Sequence, residues 1–168
     1  MFKQMLTFVT VLMSLFISTS LLAAGHMEVM VMDAQARAMP PSAKNSAAYF
    51  TLMNHKADDL TLVSAQSDVS KVTEFHDHLM IDGAMSMRKV PNIKLPAGEN
   101  LVFQPSGLHV MLIGLTQPLK PGELVTVTLN FENGESMLVE AEIVMPDDIK
   151  AGPKSMADMH AKHAMPSN

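Results

Sequence analysis

The sequence predicts one all-β domain, a sandwich or small Greek-key barrel, and three observations carry that prediction. Short apolar runs recur about every ten residues between positions 27 and 145, turns rich in Gly, Pro and Asn separate them, and no segment of useful length shows a helical period. A length of 168 residues with 48% hydrophobic content suits a single core with extensions.

The elements follow in order. Pro40 and Pro41 interrupt the first apolar stretch, and residues 47–53 resume as a strand that ends in the turn-forming cluster 54–59. Residues 60–65 and 69–76 read as further extended segments. The run ENLVFQP is closed by Pro105, Ser106 and Gly107; LHVMLIGL follows it, and KPGE makes a turn. In ELVTVTLNF, Val125, Val127, Leu129 and Phe131 alternate with Thr126, Thr128 and Asn130, the pattern of a half-buried strand. Asn133-Gly134 suits a tight two-residue hairpin turn, and residues 137–145 supply the returning strand.

The two ends differ from this middle. One lysine, an apolar stretch over residues 5–22 and then Ala23, Ala24 and Gly25 read as a secretory signal peptide over residues 1–25. The apolar part is near the lower limit for spanning a bilayer, so cleavage and release without stable membrane insertion are expected. His26 would then lie at the new terminus. Residues 26–146 form the folded domain, and residues 147–168, poor in large apolar side chains, read as a flexible tail. The expected location is the periplasm.

Composition narrows the function. A net charge of -5 with interspersed signs lacks the basic footprint of a nucleic-acid binder. The absence of cysteine excludes a thiolate metal site or a cysteine nucleophile within these residues. No G-x-S-x-G, P-loop, G-x-G-x-x-G or H-E-x-x-H motif occurs, and an enzyme is not expected.

What remains is an unusual number of methionines, 17, and seven histidines. Residues two apart on a strand share a face, which pairs His109 with Met111, His76 with His78, and Met85 with Met87. Imidazole plus thioether is a soft, neutral donor set that favours Cu(I) over zinc, calcium or magnesium. The same residues also fit a plainer reading: a core histidine, a polar strand end, and methionines filling irregular gaps.

A resemblance separates the two readings. His76, ten residues, Met87, twenty-one residues, then His109-Val110-Met111 resembles the H-x10-M-x21-H-x-M motif of periplasmic copper chaperones related to assembly factors of the cytochrome c oxidase binuclear copper centre. DGAMSMR, PAGE, GLHVMLIGLTQPLKPG and NFENG are also similar to that family. The resemblance covers roughly residues 27–145 and implies a cupredoxin-like Greek-key fold, a Cu(I) site of His76, Met87, His109 and Met111, and delivery of copper to a copper-accepting protein. That acceptor would be the cytochrome c oxidase copper subunit or another copper chaperone. Gln35 departs from the pattern, standing where such proteins often carry tryptophan. Met156, Met159, His160, His163 and Met165 make the tail a candidate for a second copper, as in family members with similar extensions. A donor-rich tail also fits a copper buffer or resistance protein without a dedicated client. His55 and His78 have no assigned role.

Overall fold

The computed structural model describes residues 28–81 and 84–150. The expected signal peptide, His26 and the tail donors lie outside these residues. Ten strands follow one another: β1 (Val29–Arg37), β2 (Asn45–Asn54), β3 (Leu60–Gln66), β4 (Ser70–Ile81), β5 (Ala84–Lys89), β6 (Ile93–Leu95), β7 (Asn100–Phe103), β8 (His109–Leu115), β9 (Leu124–Phe131) and β10 (Ser136–Val144). Among the described residues there is no α-helix, only a 3-10 turn over Pro146–Asp148. The expected all-β class is what the chain adopts.

Hydrogen bonds link the strands in the order β5-β4-β8-β2-β1-β10-β9-β3-β6, with β7 also on β2. The sheet is open: β5 and β6 are its two ends. It curls so that alternate residues of every part meet in one core. Phe50 and Phe103 pack with ring centroids 4.5 Å apart and Phe75 lies 6.0 Å from Phe103. Val110, Leu112, Val125, Val127, Leu129, Val139 and Ala141 join them, all buried. Burying such side chains contributes about 1.5–3 kcal/mol each before the cost of ordering them.

The alternation in β9 is observed as expected, since Val125, Val127, Leu129 and Phe131 are all buried. Three details differ from expectation. First, β4 continues to Ile81, past the polar stretch His76-Asp77-His78, because β8 pairs one edge of the strand and β5 the other. Secondly, the β9–β10 turn is not a two-residue one. Gly134 N donates to Phe131 O (3.0 Å) and Phe131 N to Glu135 O (2.9 Å), which closes a loop of Glu132, Asn133 and Gly134. A mirror-image two-residue turn would need positive φ at Asn133, whereas only Gly134 (φ 87°) has it. Thirdly, Gln35 is buried, and its Oε1 accepts a bond from Lys150 N at 2.9 Å. Its polar end is thereby satisfied where a tryptophan would have filled space.

The strand β2 positions the site. It pairs with β8 along Asn45–Ala48 and with β7 along Phe50–Met53. Because β1 takes the other edge, β7 and β8 follow one another along the same edge of β2, and the chain between them leaves the ladder near the middle of that strand. This excursion, residues 104–108, is held by Gln104 N to Leu108 O (2.7 Å) and Gly107 N to Gln104 O (3.2 Å), with Ser106 in the left-handed region at φ 63°.

Candidate metal site

Register brings the histidines and methionines together. On the outer face of the sheet, His109 of β8 lies opposite His76 of β4, Met111 opposite Glu74, and Met87 of β5 opposite His78. The intervening Phe75, Val110 and Leu112 point into the core. Strand alternation thus separates a donor-rich layer from the hydrophobic layer beneath it.

His109 is fixed in one tautomer. Its ring is buried, 3% exposed, and its Nδ1 stands 2.7 Å from the Gly107 carbonyl. A carbonyl only accepts, so Nδ1 carries the proton and Nε2 keeps a free lone pair. Burial holds this imidazole below the usual histidine value, partly offset by the bond to Gly107. It is therefore a neutral donor at pH 7.

His76 is oriented from its other side. Its Nε2 lies 3.0 Å from Glu74 Oε2, and Lys89 Nζ donates to Glu74 Oε1 at 2.6 Å. The Lys89 ammonium, then His76, holds the Glu74 carboxyl below the usual range. An ionised carboxylate only accepts, so Nε2 donates to it and, in the neutral ring, Nδ1 is left with the lone pair. That Nδ1 is buried with no hydrogen-bond partner. A carboxylate that fixes the far nitrogen of a histidine is the usual support of a metal ligand.

His78 also holds a buried Nδ1 without a partner. Its ring stacks on His109 at 5.1 Å between centroids, while His76 and His109 are 6.1 Å apart. A cleft of about 390 Å³ opens over this face, lined by His78, Met87, His109, Met111, Met39 and Tyr49 among others. Burial pushes the Tyr49 phenol up, against the opposing effect of Arg37. Of the four residues expected to bind copper, three line the cleft; His76 does not, and its ring is tied to Glu74.

Sequence reasoning paired His78 with His76 but left it without a role, and it missed Met39. The signal for His78 was present: the dipeptide Asp82-Gly83 favours a two-residue hairpin in sequence, and the register this implies, with Ile81 opposite Ala84, places His78 opposite Met87. Met39, beyond the end of β1, carried no such signal. Met85 is 61% exposed and pairs with Met80 away from the cleft, and His55 does not line it.

Among the described residues, no three His, Asp or Glu side chains come together closely enough to hold a metal ion. The further donors that line the cleft are the thioethers of Met39, Met87 and Met111. That donor set suits a soft ion better than zinc or calcium, whose protein sites use thiolate, imidazole or oxygen.

A cupredoxin-like β-domain that carries imidazoles and thioethers in place of a cysteine thiolate is the class these strands define. The chain belongs to the LpqE-like family, whose model, described as "Putative lipoprotein LpqE-like", matches residues 29–143. It is 30% identical over 99 residues to the protein named "Putative lipoprotein Lxx21020" of Leifsonia xyli, a match covering 58% of this chain and 60% of that protein's length. Among solved structures, that of CuI-DR1885 from Deinococcus radiodurans is 34% identical, covering 76% of this chain and 85% of that one with a TM-score of 0.57. The copper-bound PCuAC domain from PmoF2, 20% identical, shares the fold, with a TM-score of 0.59 over 71% of this chain and 94% of that domain.

Proposed function

We propose that this protein is an exported copper carrier that binds one Cu(I) through His76, Met87, His109 and Met111 and passes it to a copper-accepting protein. The observation that carries the reading is His109. A buried imidazole with Nδ1–H tied to Gly107 presents a bare Nε2 to a cleft that Met87 and Met111 also line. The unpartnered Nδ1 of His76 adds to it, since a buried polar atom without a partner costs roughly 1–3 kcal/mol and a bound ion would remove that cost. The copper-loaded form of the DR1885 relative supports copper as the ion. Export is supported by the lipoprotein description of the family and by the apolar leader.

The donor chemistry suits carriage. Thioethers bind softly, carry no charge and do not compete with protons, so they select Cu(I) yet release it to a thiolate on an acceptor. Transfer is by ligand exchange at the open cleft, where Met87 is 46% exposed. The acceptor in this reading is the copper subunit of cytochrome c oxidase or another copper chaperone, as the sequence motif implies. Two imidazoles and two thioethers leave no open position for a substrate, which argues against catalysis at the ion.

Competition with a Cu(I)-specific chelator tests the site. The protein should take up one equivalent, and His109→Ala with Met111→Ala should abolish uptake. Equal affinity in that double variant refutes the assignment.

A buffer or resistance role is the second reading, favoured by the five His and Met donors between residues 156 and 165, which would hold a second copper. Cells carrying the chain cut after Lys150 separate the two. Lost copper tolerance with normal oxidase assembly supports buffering, and the reverse supports delivery.

A further inference from the structure

We infer that His78 is a second copper donor, which exchanges with His76 on an ion that His109 holds throughout. The inference rests on the copper-carrier reading above. His76 and His78 project from the same face of β4 and flank His109, at 6.1 Å and 5.1 Å between ring centroids. Two imidazoles bound to one ion through nitrogens at about 2.0 Å have centroids roughly 5–6 Å apart, so either histidine can share an ion with His109. Both have a buried Nδ1 without a partner.

The two differ in what surrounds them. His76 is anchored through Nε2 by Glu74 and Lys89 and does not line the cleft. His78 has no such anchor among the described residues, lines the cleft, and lies opposite Met87 in register. The donors therefore form two overlapping sets: an inner one with His76 and an outer one with His78, sharing His109 and the thioethers. Among the described residues no three acidic or imidazole side chains are grouped closely enough to hold one ion, so the imidazoles act two at a time. Cu(I) is a closed-shell ion without a preferred ligand-field geometry, so one imidazole can leave as the other enters. No electron changes hands; one copper–nitrogen bond forms as another breaks. The outer position is the one that lines the cleft, by which an acceptor's ligand would approach.

A double-mutant cycle tests this on the full chain, reading Cu(I) affinity by chelator competition for the wild type, His76→Ala, His78→Ala and the double variant. Each single variant should lose less than about tenfold, because the remaining imidazole substitutes, and the double variant should lose at least tenfold more than the product of the singles. Ring nitrogen resonances of His78 in the unmutated protein should also move when Cu(I) is added, a readout independent of any folding defect in the variants. Additive losses, with His78 resonances unmoved, overturn the assignment of His78 while leaving the carrier reading intact. Absence of Cu(I) uptake by the unmutated protein overturns both.

Discussion

At His109 a single side chain is both packed and chemically poised, because the Gly107 carbonyl removes one ring nitrogen from play and burial keeps the ring neutral. This has a consequence for stability. Below the ordinary histidine value of about 6.5, the unfolded chain takes up a proton that folded His109 resists, so the copper-free protein loses stability as pH falls from there toward the lower folded value. Glu74 acts in the same direction at lower pH, since its depressed carboxyl gives stability that is lost as pH falls through its folded value. Thermal unfolding of the copper-free protein between pH 7.5 and 5.5 should show a falling midpoint, and His109→Gln should flatten that slope. Glu74→Gln should weaken copper binding by less than about tenfold with little change in fold, because it acts through His76, whose own loss His78 offsets. Chelator competition reads that loss, and Lys89→Met should give a smaller one in the same direction.

Among the elements, β8 shows how a strand serves two layers. Leu112 is fully buried beneath the donor layer, so Leu112→Ala should cost about 2–5 kcal/mol in denaturant unfolding. The hairpin turn offers a separate check. Gly134 sits at φ 87° with open space around it, and Gly134→Ala should cost about 1 kcal/mol through backbone strain alone, leaving copper binding unchanged. These elements were unequally legible in the sequence. The alternation of β9 and the Pro-Ser-Gly boundary before β8 were plain, because one buried face forces period two and Pro105 has no N–H to give to a ladder. The far half of β4 was not. Its polar residues face outward at a binding layer, where hydrophobic periodicity carries no signal, and only the register with β5 reveals which histidine faces Met87. The turn at Asn133-Gly134 was located correctly but given the wrong length, since the same dipeptide serves two- and three-residue loops.

Over the whole molecule, the class of fold was readable from spacing of strands and turns, while the path of the sheet was not. The parallel pairing of β1 with β10 and the division of β2 between β7 and β8 join residues far apart in sequence, and no local pattern encodes them. That division is nevertheless what places the Gly107 carbonyl beneath His109. Binding should also couple to global stability: an ion held by the folded chain alone raises the unfolding midpoint as copper is added, by about 2.7 kcal/mol at a free concentration of one hundred times Kd. The central claim, that a soft ion sits among imidazoles and thioethers on the outer face of β4, β5 and β8, is tested most directly by X-ray absorption at the copper edge of the Cu(I)-loaded protein. The account predicts nitrogen and sulfur scatterers together, with the sulfur contribution lost in Met87→Leu, Met111→Leu. A shell of nitrogen and oxygen alone, unchanged in that variant, would contradict it.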